Sequence, residues 1–223
     1  MTVPSSDTST PPPLRLERAR GRAEIGFKRR DDATVLDRLF QEGQAKIRLP
    51  KSHGGEPATA VLINTAGGIA GGDRLVYGAR FGAGTTAVVT AQAAERVYRS
   101  SATDGSLAGE VTTRLEVEAG ACAEWLPQET ILFDGAALDR RLEVEMAADA
   151  RLILAETVVL GRAAMGETVS TCRLVDRLRI RRGGRLIFAD TLRLDGAPGA
   201  ILAGAATGRG ATAVTTVLWV APE

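Results

Sequence analysis

Metal-ligating and nucleophilic side chains are scarce in this chain, whose 223 residues include one histidine and two cysteines. A structural zinc site takes four nitrogen or sulfur ligands, and these three side chains cannot supply them. Cys122 and Cys172 have no CxxC spacing and read as two reduced, mostly buried thiols. His53 stands between Ser52 and Gly54-Gly55, with no Gly-x-Ser-x-Gly elbow to serve, so a serine-hydrolase triad has no base near a nucleophile. A lone histidine in a glycine-rich loop reads as solvated surface. No apolar run approaches the roughly 18 residues that span a membrane, and the N-terminus has no apolar signal core. The net charge of +1 lacks the basic excess that nucleic-acid binding requires. Aromatic residues make up only 4% of the chain, while 25 glycines favour many turns over long helices. The expectation is a cytoplasmic protein with one sizeable core, binding neither nucleic acid nor membrane.

Glycine is concentrated where it says most. The stretch Ile63 to Leu75 carries Gly67-Gly68 and Gly71-Gly72, preceded by an apolar run and followed by Asp73-Arg74. Four glycines so close together imply a specified, tight backbone path. A phosphate cradle does not fit: a P-loop needs Lys and Ser/Thr after its last glycine, and the dinucleotide fingerprint opens a helix, whereas Leu75-Val76-Tyr77 reads as a strand. The stretch is expected to be a structural turn or packed crossing.

Residues 1–13 are rich in Ser, Thr and Pro and are expected to be a disordered tail, with residues 14–223 forming one β domain. The basic cluster from Leu14 to Arg30 reads either as a basic partner-binding patch or as a half-exposed edge strand, and Val35 to Phe40 as a short helical turn. From Ala60 onward the hydrophobic period is two. Val111, Thr113, Leu115 and Val117 alternate with polar residues, as do Leu142, Val144 and Met146, and again Leu174, Leu178 and Ile180. Arg182-Gly183-Gly184-Arg185 joins two such runs as a hairpin.

These runs repeat. Leu115 through Leu132 aligns without a gap on Leu142 through Val159, and Leu178 through Thr191 follows with a shorter turn; a fainter copy runs from Phe81 to Gln92. Each unit reads strand, turn, strand. The predicted fold is mainly β, either stacked β-hairpin repeats or a two-sheet architecture, with one or two short helices, one of them a turn between Gly161 and Gly166. The alignment places Gln92, Glu129, Glu156 and Asp190 at equivalent positions. Such a row is either solvent-facing or an oxygen-lined path for a hard or borderline cation.

Four segments together resemble the signature blocks of the urease accessory protein UreD family, called UreH in some organisms. They are the Gly67–Leu75 run, Thr90 to Ser100, Trp125 to Gly135, and Gly161 to Glu167. The resemblance implies a non-enzymatic β scaffold that binds UreF and, through it, UreG, docks on apo-urease and helps convey nickel, and it allows a homodimer within that assembly. It implies no tightly bound cofactor, with Ni2+ in transit through an internal tunnel. Carried onto this chain, Asp73, Asp134 and Glu167 are the expected tunnel contacts, with Glu129 and Glu156 behind them. Two departures stand out: Leu49 to Gly55 lacks the aromatics that relatives have there, and relatives continue beyond Val220 with a helix and further strands. The alternatives on residues alone are a β-repeat binding module without a metal role and a carboxylate-based enzyme.

Overall fold

In the computed structural model, which describes residues 17–51, 56–102 and 107–222, alternation becomes strand almost throughout. The strands in chain order are β1 (Arg20–Arg30), β2 (Ala33–Gly43), β3 (Ala45–Arg48), β4 (Ala58–Asn64), β5 (Arg74–Phe81), β6 (Thr86–Ala91), β7 (Glu95–Val97) and β8 (Gly109–Val117). They continue with β9 (Cys122–Leu126), β10 (Thr130–Leu132), β11 (Ala137–Met146), β12 (Arg151–Leu160), β13 (Cys172–Arg182), β14 (Arg185–Gly196) and β15 (Ala213–Val220). A 3-10 turn spans Ala163–Met165, as the Gly161–Gly166 spacing predicts, and α1 spans Pro198–Ile201. The predicted tail and His53 lie outside the described residues.

Two sheets face each other. One runs β14-β13-β11-β8-β5-β1-β2, and the other β3-β4-β6-β9-β12-β10-β7 with β15 along the other edge of β12. The repeat units explain this layout. In β5–β6, β8–β9 and β11–β12 the first strand joins the first sheet, the turn crosses the interior edge, and the second strand joins the other sheet. Successive units stack in parallel, and their turns bond to one another: the amides of Cys122 and Arg151 donate to the carbonyls of Thr85 and Ala121 at 2.7 and 2.8 Å. Inward Leu, Val, Phe and Ala side chains of both sheets then share one core.

The units are therefore crossings between sheets. The hairpin description holds for β13–β14, an antiparallel pair in a single sheet, whose turn uses Gly183 and Gly184 at φ 55° and 78°. Both positive φ values match a two-residue turn that follows strand twist. Two local expectations are corrected. Val35 to Phe40 is strand β2, because β1 offers it an antiparallel partner along nearly its whole length. Conversely, β1 is interior, hydrogen-bonded to β2 on one side and parallel to β5 on the other, and its charged residues point away from the core.

Register also departs from the gapless alignment. Leu115 lies beside Val144 and Val117 beside Met146, two residues further on than the sequence match suggests. In this sheet the even shift keeps the side chains on their own faces. In the second sheet the shift changes which polar groups meet, because β6–β7 and β9–β10 are broken strands. The breaks, residues 92–94 and 127–129, lie side by side, and β12 runs past them unbroken. Pro127 contributes by removing a ladder donor. The second sheet thus has an opening where its neighbour has none.

Candidate functional site

Behind that opening lies a cavity of about 180 Å³ between the sheets. Ala94, Glu95, Pro127 and Gln128 line its mouth, and Tyr77, Thr113, Trp125, Thr130, Arg140 and Glu156 line its depth. A water needs roughly 10–15 Å³ measured this way, so the space holds several.

The wall is polar because three inward positions carry charge. On β11, β12 and β13 the inward phase reads Leu138, Arg140, Leu142; Leu154, Glu156, Val158; and Leu174, Asp176, Leu178. Parallel pairing of β11 with β13 sets Arg140 beside Asp176, and the facing sheet brings Glu156 over both. Arg140 donates from Nε to Asp176 Oδ1 at 2.9 Å and from Nη2 to Asp176 Oδ2 at 2.5 Å. Its Nη1 reaches Glu156 Oε2 at 2.8 Å and Thr130 Oγ1 at 3.1 Å. Trp125 Nε1 donates to the other Glu156 oxygen at 2.8 Å. Burial by itself would lower the arginine's pKa; Glu156 and then Asp176 outweigh it and hold the guanidinium above its ordinary range. A second cavity of about 20 Å³, room for about one water, lies beyond Arg140 and Glu156 and is walled by Asp176 and Asp190.

At the mouth, burial pushes the Glu95 carboxyl up to about 7, against the opposing hydrogen bond from Asn64 Nδ2 at 3.1 Å. Tyr77, also in the cavity wall, is raised above its ordinary range by burial and then by the Glu95 charge. Among the described residues no group of three or more His, Cys, Asp or Glu side chains could hold a metal ion. Cys172 and Cys122 are free, and burial, then the charges of Asp195 and Asp134, push the Cys172 thiol up to about 11.

The loops at this end of the molecule interlock. Tyr98 donates its hydroxyl to the Gly67 carbonyl at 2.8 Å and packs edge-on against Phe133, with ring centroids 5.3 Å apart. The Arg162 guanidinium lies 4.1 Å above the Phe133 ring and pairs with Glu167 at 2.7 Å. Glu167 Oε1 accepts the Asp134 amide at 3.3 Å, and Asp134 pairs with Arg99 while accepting the Ser170 and Thr171 amides at 2.8 and 3.1 Å. The Thr171 amide, followed by Ser170 and Arg99, holds the Asp134 carboxyl below its usual range, and Arg162 does the same for Glu167.

The chain matches the model of the UreD urease accessory protein family over residues 19–223. It is 49% identical over 208 residues to the urease accessory protein UreD of Rhizobium etli, covering 93% of this chain and 74% of that protein. The Rhizobium rhizogenes UreD is 46% identical over 222 residues, covering all of this chain and 77% of the relative. Brucella melitensis UreD 1 is 45% identical over 210 residues, covering 94% and 73%. The chain belongs to the UreD family. It is a urease accessory protein with a role in urease maturation, not an enzyme.

In this UreD-family chain the four signature segments form that loop end, and three of them reach the cavity mouth: Gly67, Gln92 to Arg96, and Pro127 to Gln128. The expected site residues occupy different places. Glu156 stands in the wall of both cavities. Asp73 is buried, and its two oxygens accept the Ala19 and Ala70 amides at 2.8 Å, tying the glycine loop to β1. Asp134 and Glu167 are held in the loop network, and Glu129 is half-buried beside the opening, its carbonyl accepting the Glu95 amide at 2.9 Å. Of the glycines, Gly67, Gly68 and Gly72 take positive φ, and a Cβ on Gly68 or Gly71 would sit 2.4 Å from Tyr98 or 2.3 Å from the Leu107 carbonyl. Sequence reasoning did not single out Arg140, Asp176 and Glu95. The signal for the first two was a charge standing in the apolar phase of an alternating strand. Among the described residues no helix is long and apolar enough to cross a membrane.

Proposed function

We propose that this protein is the scaffold on which nickel is conveyed to apo-urease, and that the inter-sheet cavity is part of the ion's route. The observation that carries this reading is the set of polar groups, from Glu95 at the mouth through Thr130 and Glu156 to Asp176, that lines two adjoining cavities between the sheets. A water-lined passage with single carboxylates suits a cargo that must be bound weakly enough to leave. The second cavity is too narrow for a fully hydrated ion, so carboxylate oxygens replace part of the water shell there. The cargo is Ni2+ in transit, with no tightly bound cofactor.

In this reading Glu156 is the passage contact among the five acidic residues expected from sequence. Asp73, Asp134, Glu167 and Glu129 set the loops and strand ends that frame the mouth. The partners are UreF, UreG through UreF, and apo-urease, all in the cytoplasm, with a homodimer as the assembly's symmetric core.

The test separates scaffold from route. Ala94 lines the mouth and is half-buried; Ala94→Phe should plug it with little core strain. Pull-down of UreF and UreG should persist while nickel-dependent urease activation falls by about ten-fold or more. Unchanged activation by a folded Ala94→Phe protein removes the cavity from the route. Loss of both partners in the unsubstituted chain overturns the scaffold reading.

A further inference from the structure

The two cavities adjoin, and two side chains stand where they meet. Arg140 and Glu156 line both. The Arg140 side chain is 10% exposed, Glu156 11% and Asp176 18%, so the ion pairs are shielded from bulk water. Four guanidinium N–H contacts are taken, two by Asp176, one by Glu156 and one by Thr130. A divalent cation entering from the first cavity therefore meets a fixed positive charge, and two of the carboxylates it would use are already occupied. Charge counting indicates how the block is released. Glu156 and Asp176 supply two shielded negative charges beside the second cavity, of which Arg140 neutralises one. Once the guanidinium swings away, one divalent cation balances both and gains their oxygens.

We propose that Arg140 is the gate of this passage: its guanidinium is the resident counter-ion of Glu156 and Asp176, and a divalent cation crosses by exchanging with it. This rests on the cavity being an ion route, and it adds what regulates passage. Arginine suits a closed gate because its planar fork grips one carboxylate through two parallel hydrogen bonds and stays charged when buried. The exchange keeps a buried carboxylate from ever standing unpaired. It also favours divalent over monovalent ions, since a single charge leaves the second cavity negative.

The experiment is a NiCl2 titration of the purified, tag-free chain by calorimetry or equilibrium dialysis, which needs neither urease nor partners. Arg140→Met leaves Glu156 and Asp176 without their counter-ion, and it should bind one Ni2+ about ten-fold or more tightly than the unsubstituted chain. Arg140→Lys keeps a charge but loses the fork, and it should fall between the two. The triple variant Arg140→Met, Glu156→Gln, Asp176→Asn should return to the unsubstituted value, which locates the gain at these carboxylates. In the activation assay Arg140→Met should be slow because the ion is held. If circular dichroism shows Arg140→Met folded and its affinity is unchanged, the gate is overturned. If that variant does not fold, an unchanged affinity for Arg140→Lys overturns it instead. Failure of the route reading looks different: Ala94→Phe would leave activation intact while the nickel titration still reports the exchange at Arg140.

Discussion

The molecule contains two networks of arginine and carboxylate built from the same residue types, one between the sheets and one in the loops at the cavity mouth. Arg140, Glu156 and Asp176 stand on three long strands, shielded from water. Arg99, Asp134, Arg162 and Glu167 stand on loops, and the two arginine side chains are 66% and 44% exposed. Desolvation separates their roles. In the interior each member depends on the others, because removing one leaves a buried charge unpaired. In the loops water reaches the two arginines, and backbone amides carry much of the order: Ser170 and Thr171 on Asp134, and Asp134 and Arg162 on Glu167. On the proposed reading the interior network is a switchable obstacle in a passage, and the loop network is a frame around its entrance.

The largest effect should come from breaking the interior set. Arg140→Met is expected to cost about 3–5 kcal/mol of stability, read from urea unfolding. A loss below about 1 kcal/mol would mean that water reaches these carboxylates and the contrast fails. Next is the pH dependence, where Glu95 at the cavity mouth and the loop carboxylates should differ in sign. Glu95 titrates near 7 when folded against an ordinary value of 4.5, so its stabilising contribution is complete below about 4.5 and lost as pH rises through about 7. Glu95→Gln should flatten that decline, up to about 3 kcal/mol in chemical denaturation between pH 4.5 and 8. Asp134 and Glu167 are lowered instead, so their contribution is present above the ordinary carboxylate values and fades as pH falls through the folded ones. Asp134→Asn should weaken the acid-side loss and leave the neutral-to-alkaline slope alone.

Smaller again, Glu167→Gln should cost about 1 kcal/mol, with faster amide exchange at Asp134 and Arg162 as its signature. The smallest effect separates the regions by salt: about 1 M NaCl should erase most of the Arg162–Glu167 coupling in a double-mutant cycle. The same cycle on Arg140 and Glu156 should change little. Equal salt sensitivity would show that the two networks are equally wet.

Much of the fold was legible because period-two alternation is local chemistry. Val111 to Val117, Leu142 to Met146 and Leu174 to Ile180 read correctly as strands, and the Gly183-Gly184 hairpin and the short turn after Gly161 were visible. Val35 to Phe40 was misread because a short apolar pattern fits helix or strand until β1 supplies a partner. The site was less legible. Glu156 was found through a repeat alignment that brought it level with Glu129, but the break at residues 127–129 sets Thr130 beside Val158 and leaves Glu129 outside the cavity wall. Arg140 and Asp176 stood in plain sight as charges on apolar phases, yet each alone is only an oddity. Their meaning comes from standing side by side on β11 and β13 under a glutamate of the other sheet.

The sequence by itself determined that this chain is β, where its strands turn, which face of each strand is apolar, and that it is a UreD-family protein. These depend on neighbours along the chain and on matched segments. Tertiary structure alone decided which sheet each strand joins, how the units are staggered, and that two broken strands lie side by side over a polar interior. Those depend on pairing between residues far apart in sequence, where a shift of two residues costs the apolar pattern nothing and yet chooses which charges meet.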